Sequence, residues 1–218
     1  MFIYPAKAEF NRVLPKTKVY DKAKPTKSIK GKFVSQIREI VWKYKLSLAT
    51  TNLAARDGFT EIQIFEINLR KPDLSSEVLA VIDKAIPYPI FYRLRYEAQI
   101  KGIAAYKRPA ADGSGKWLTE DYFETDWTDA TTPANPLPVA LDLKALYERM
   151  LLTYIDLPSR NGESLGALVE RVSQIRKCRR ELRTLEAKMN SEKQFNRKVE
   201  LNAQVRDLNA QLAILINA

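Results

Sequence analysis

From Ser164 to Asn217 the chain contains no proline, and its aliphatic residues recur at three- and four-residue steps. Leu168, Val172, Ile175, Leu182, Leu185 and Met189 make one run, and Leu201, Val205, Leu208, Leu212 and Leu215 make a second. That spacing puts one narrow apolar seam on a helix. Between the runs Glu192 and Asn196 occupy seam positions while Phe195 and Val199 fall out of phase, which predicts a break near 190–199. Two shapes satisfy the pattern. One is a rod of about 52 residues, roughly 78 Å long. The other is a helical hairpin folded at Asn190-Ser191. A seam this narrow has to be buried against something. Self-association or docking on a partner is expected, with packing on the chain's own body as the alternative.

Upstream the periods are shorter. Ile90–Tyr96 alternates strictly, Ile90, Tyr92, Leu94 and Tyr96 on one side and Phe91, Arg93 and Arg95 on the other, and it predicts a strand returning through 100–107 as a hairpin. Glu61–Arg70 predicts a strand whose apolar phase changes at its centre, through a bulge or because both faces are covered. Segments 46–53 and 117–127 also read as strands. Helices are predicted over 29–44 (Phe33, Ile37, Ile40, Val41 and Tyr44 on one face), over 75–86 before Pro87, and over 143–154 behind Asp142 as a cap. Residues 1–30 hold Pro5, Pro15 and Pro25 and no clear period. They predict an extended arm with local contacts at Phe2-Ile3-Tyr4 and Val19-Tyr20. The expected fold class is α+β: a small, mainly antiparallel sheet covered by helices, followed by a long C-terminal helical coiled-coil or helical-hairpin tail. The regions are a basic extended arm (1–30), an α+β domain (31–158) and the helical tail (159–218).

Charge sharpens this division. The net charge of +10 is concentrated at the ends: +7 over 1–33, −1 over 34–160 and +4 over 161–218. Such ends suit polyanions, either nucleic acid or an acidic protein face. Composition narrows the chemistry further. There is no histidine and a single cysteine, Cys178. Catalytic triads, His-ligated metals and Cys-based zinc sites are thereby excluded. No apolar run is long enough to span a membrane, and the N-terminus lacks a secretory h-region, so a cytoplasmic protein without membrane contact is expected.

Four constellations remain. The acids Glu120, Asp121, Glu124, Asp126 and Asp129 are dense enough to hold a hard cation, but their spacing fits no known loop; a solvated face, or a mate for the basic arm, is the competing reading. Asp57 with Glu61 or Glu66 approaches the acid pattern of a metal-dependent nuclease, without the lysine such sites place two residues on. Arg93, Arg95, Lys101, Lys107 and Arg108, interleaved with Tyr92, Tyr96 and Tyr106, suit phosphate contact and base stacking; against this stands a plain core of tyrosines with solvated arginines. In the tail, Arg176, Arg180 and Arg183 share a helix face beside Lys177 and Arg179, where they could track a phosphate backbone or flank a coiled coil.

Four stretches, Ile40–Ser47 (IVWKYKLS), Glu61–Leu69 (EIQIFEINL), Ile82–Phe91 (IDKAIPYPIF) and Tyr122–Trp127 (YFETDW), resemble in this order the prokaryotic family called domain of unknown function 4391. IDKAIPYPI is the most specific of them. The resemblance supplies no catalytic residue. It implies a context, since such proteins are often encoded beside helicases and DNA methyltransferases of restriction-like antiviral islands. The expectation is therefore a non-catalytic accessory subunit without cofactor or metal. It would assemble through its tail, with itself or with a helicase or methyltransferase subunit, and hold DNA non-specifically through Arg93, Arg95, Lys101, Lys107, Arg108, Arg176, Arg180 and Arg183. A divergent metal-dependent nuclease and a structural coiled-coil scaffold without nucleic-acid contact are the alternatives.

Overall fold

Six strands lie side by side in the order in which the chain makes them: β1 (Glu9–Val13), β2 (Ile37–Ser47), β3 (Glu61–Leu69), β4 (Ile90–Tyr96), β5 (Gln99–Pro109) and β6 (Trp117–Glu124). The two-residue β7 (Thr128–Asp129) pairs the start of β5. The helices are α1 (Lys16–Ala23), α2 (Lys27–Gln36), the single turn α3 (Leu48–Thr51), α4 (Ser76–Ala85), α5 (Leu143–Leu152), α6 (Leu165–Ser191) and α7 (Phe195–Asn217). The computed structural model describes residues 1–112 and 114–217. Neighbouring strands are antiparallel except β3 and β4, which α4 joins as a parallel pair. The chain divides into two units, Met1–Ile155 and Asp156–Ala218.

β3 is central, and both of its faces are covered. Phe65, Ile67 and Leu69 meet Val19 of α1, Phe33 of α2 and Val78 and Ile82 of α4 in one core. Ile62 and Ile64 belong to the other face, together with Phe91 of β4, on which Tyr147 of α5 and Tyr154 pack. The change of apolar phase in β3 is thus the mark of a strand buried on both sides. The bulge lies instead in β2, where the register shifts between Trp42 and Tyr44. It turns Trp42 toward Phe65 and Tyr44 toward Tyr4. Another register shift, between Ala105 and Lys107 in β5, is plugged by the buried Tyr147 hydroxyl, which accepts from Lys107 N at 2.6 Å and donates to Ala105 O at 3.1 Å. Burial pushes the Tyr147 phenol well above its ordinary range, so it stays a donor. Gly102 lets the Tyr154 ring come close to β5, because a Cβ there would sit 2.5 Å from the ring.

Three expectations need correcting. Residues 37–44, predicted to continue a helix from 29, form most of β2. The bulge and the double-sided burial break the strand's two-residue period and leave a spacing that mimics a helix. The helix stops at Gln36 because other groups take its last carbonyls: Lys16 Nζ donates to Phe33 O and Ile37 O at 3.1 and 2.7 Å, and Arg70 N donates to Gln36 O at 2.8 Å. Residues 48–51, predicted as strand, form the capped turn α3. Residues 1–30 are no free arm. They supply β1, α1 and the start of α2, bury Phe2, Ala8, Val19 and Ala23, and belong to the first unit. The remaining predicted elements of the sheet unit appear within a few residues of their expected bounds, with Asp142 capping α5 through Ala145 N at 2.8 Å.

In the second unit the tail is a hairpin. α6 begins behind Ser164, whose hydroxyl accepts from Ala167 N, and three residues, 192–194, separate it from α7. The helices run antiparallel: Arg171, near the start of α6, donates to Leu215 O near the end of α7 at 3.2 Å, and Arg160 donates to Ile214 O and Leu215 O at 3.0 Å each. These guanidinium groups occupy carbonyls that the end of a helix leaves open, where its dipole favours a cation.

Candidate nucleic-acid interface

Of the eight cations singled out from the sequence, five lie on β4 and β5, and the structure does not gather them. Arg93 and Arg95 follow the predicted alternation, but register puts Lys101 opposite Leu94 and so on the other face of the sheet. Each of the five meets a carboxylate. Arg93 and Arg95 both approach Glu66 at 3.9 Å, Lys101 lies 2.8 Å from Glu124, Lys107 2.7 Å from Asp83 and Arg108 2.8 Å from Glu120. Tyr92 is a core residue. Two acids of 120–129 belong to the same pairs, since Glu120 and Glu124 serve β5 rather than an N-terminal arm, and Asp129 accepts from Thr131 N at 2.8 Å.

Lys107 is removed from any surface role. Its side chain is 1% exposed and its ammonium donates to Ile86 O and Tyr88 O at 3.2 and 2.8 Å, closing the end of α4. Burial pushes this ammonium below its ordinary range while Asp83 pulls it back up. Asp83 also accepts from the Tyr122 hydroxyl. The correction has a simple cause, since strand alternation places Lys107 on the same face as Ile103, toward the helices.

The tail cations differ. Arg176 is half-buried and engaged. Arg180 and Arg183 are exposed and line an open groove along α6 with Thr184, Ala187, Lys188 and Ser191. Beyond it Lys188, Lys193 and Arg197 border a second groove at the turn, together with Glu192 and Glu200. Among the described residues, Lys177, Arg179, Arg180, Arg183, Lys188 and Arg197 form no ion pair within 4.0 Å, because all eleven pairs involve other cations. Over 176–198 nine basic residues face three acidic ones. The sequence reading stopped this field at Arg183; the run of basic residues continuing past the seam break was the signal that extends it.

The acids considered for metal chemistry lie apart. Asp57 pairs with Lys144 at 2.8 Å, Glu61 with Lys45 at 2.5 Å, and Glu66 sits on the face of β3 opposite to Glu61. Among the described residues no group of three or more acids or cysteines is arranged to hold a metal ion, and no helix is long and apolar enough to cross a membrane.

One buried ion pair had no signature in the sequence. Glu163 and Arg171 meet at 2.7 and 2.8 Å through two guanidinium nitrogens, and Arg171 also donates to Pro158 O at 2.8 Å. The Arg171 guanidinium pulls the Glu163 carboxyl down to about 2. This pair fixes the base of the hairpin and leaves its turn end free.

The family model described as Domain of unknown function (DUF4391) matches residues 2–212, and the chain belongs to that family. No curated protein and no solved structure matches it.

Proposed function

We propose that this chain is a non-catalytic accessory subunit of a DNA-associated complex, of the restriction-like or antiviral kind its family resemblance implies, and that it holds nucleic acid through the α6–α7 hairpin. The observation that carries this reading is the set Arg180, Arg183 and Lys188 on α6, exposed and without an ion pair among the described residues. Arg180, Arg183 and Lys188 line one open groove of α6, whereas each sheet cation singled out lies within 4.0 Å of a carboxylate, Arg93 and Arg95 sharing Glu66. A row of unpaired cations binds phosphates by releasing counterions and needs no base contact, so binding is non-specific and salt-sensitive. Phe195, 78% exposed, and the exposed Val199 lie just past the turn and offer an apolar grip to a protein partner.

The test is fluorescence anisotropy of the full chain with a labelled duplex over a salt series, beside a variant carrying Arg180→Gln, Arg183→Gln and Lys188→Gln. These side chains are exposed, so the fold is retained, which circular dichroism checks. The variant is expected to bind about 10- to 100-fold more weakly at low salt, with a log–log salt slope shallower by about 2.7. Wild-type protein that ignores DNA at low salt, or a variant that binds as the wild type does, rejects the proposal.

A further inference from the structure

The helix α7 carries two apolar faces. Its seam, Leu201, Val205, Leu208, Leu212 and Leu215, is half-buried, as are Leu182, Leu185 and Met189 on α6, so the seam is spent in closing the hairpin. On the opposite side of α7, about 170° round the helix, Val199, Ala203, Ala210 and Ile214 recur at steps of four, seven and four. Val199 is 51% and Ile214 65% exposed, Phe195 stands at the edge of the same face, and α7 has no fully buried residue. A surface helix needs one apolar stripe; a second, opposite stripe calls for a second cover.

The charges on this face identify the cover. Arg206 and Asp207 lie halfway along it, about 50° to either side of its centre line. Both are exposed, and among the described residues neither belongs to an ion pair within 4.0 Å. Neighbouring residues of a helix point apart, and only Ala, Asn and Gln stand three or four positions from either, so neither has a mate on its own helix. We infer that this face binds the same face of a second copy of the chain, with the two α7 helices parallel. A two-fold axis along such a pair sets the Arg206 flank of each copy against the Asp207 flank of the other, which makes two complementary contacts. An antiparallel pair would set each charge against its own kind. Ala203 and Ala210 on the centre line let the helix axes approach to about 8 Å, and Val199 and Ile214 close the contact at its two ends. This names the partner of the apolar patch beside the turn, so it rests on reading that patch as a protein contact and needs no nucleic acid.

Sedimentation velocity of the full chain without DNA, at about 0.15 M salt, tests the inference. A monomer–dimer equilibrium with a dissociation constant below about 100 µM is expected. Val199→Glu with Ile214→Glu, both on the surface, is expected to weaken it more than about 10-fold with helicity retained by circular dichroism. Arg206→Asp is expected to weaken it roughly 3- to 10-fold, and adding Asp207→Arg to restore it. The variant lacking Arg180, Arg183 and Lys188 is expected to dimerise at least as tightly as the wild type, because the parallel pair brings two cationic turns together. Failure of the DNA titration therefore leaves this inference standing, and failure here leaves DNA binding standing. A wild-type chain that stays monomeric up to about 200 µM overturns the inference. So does a Val199 and Ile214 double variant that dimerises like the wild type, and a charge swap that fails to restore what Arg206→Asp loses overturns the parallel pairing.

Discussion

Arginines and lysines of the sheet unit and of the hairpin look alike in the sequence, both as basic residues at regular spacing beside aromatic or aliphatic ones. In the sheet unit each of the five singled out lies 2.7 to 3.9 Å from a carboxylate contributed by another element. Among the described residues, the exposed members of the α6 run have none within 4.0 Å, and Arg171, which is buried and paired with Glu163, sits at the opposite end of the hairpin from the turn. The difference is one of topology. A strand has neighbours on two sides and finds acids on them, whereas a helix in a two-membered hairpin keeps most of its circumference open. Formal charge counted along a sequence therefore overstates the field of a sheet and describes the field of a helix well.

The largest expected effect comes from treating the most buried sheet cation as if it belonged to the hairpin. Lys107→Met removes the ammonium that closes α4 and leaves Asp83 buried with only hydroxyl support. A loss of about 3–5 kcal/mol is expected in urea unfolding monitored by tryptophan fluorescence. Arg180→Met, exposed on α6, is expected to stay within about 0.5 kcal/mol of wild type. Equal effects for the two would erase the contrast between the units.

Arg171 is the hairpin residue that behaves like a sheet residue, and its replacement is next in size. Arg171→Met abolishes both contacts to Glu163 and the donations to Leu215 O and Pro158 O. About 3 kcal/mol is expected, seen as faster amide exchange in α7. A variant with wild-type protection there would show that helix packing alone holds the hairpin closed.

The same pair predicts a pH dependence of smaller size. The Glu163 carboxyl titrates near 2 when folded against 4.5 ordinarily, so the unfolded chain takes up the proton first. Its stabilising contribution is complete above about pH 4.5 and drains away as pH falls toward 2. Thermal melts between pH 5 and pH 2.5 should show a steeper fall for wild type than for Glu163→Gln. Parallel curves would assign the acid sensitivity to other carboxylates.

Much of this architecture was legible in the chain because local period and packing agree. Ile90–Tyr96 alternates, Asp142 caps α5, Pro87 follows α4, and the α6–α7 break falls where Glu192 and Asn196 interrupt the seam. The failures share a cause. Residues 37–44 misled because a bulge and two covered faces erase the strand period, and 1–30 misled because β1 and α1 exist only by leaning on β2 and α4. Pairings such as Lys107 with Asp83, or Glu66 with Arg93 and Arg95, join residues far apart in the chain, and no local pattern announces them. The α6 cations were readable because helical spacing alone places them.

Arg95 gives the smallest effect and the sharpest test of where the interface ends. Its side chain is 45% exposed, and its guanidinium lies 3.9 Å from Glu66, beyond hydrogen-bond reach. Glu66 keeps Arg93 at the same distance if Arg95 is lost. Arg95→Gln should therefore cost no more than about 0.5 kcal/mol of stability, as an exposed pair of this geometry contributes little. Its duplex affinity should stay within about twofold of wild type, because a cation already shared with an acid displaces few counterions from DNA. A tenfold loss of affinity with unchanged stability would mean that phosphate competes successfully with Glu66. The sheet face would then belong to the interface, and the boundary drawn between paired and unpaired cations would have to move from the unit to the individual side chain.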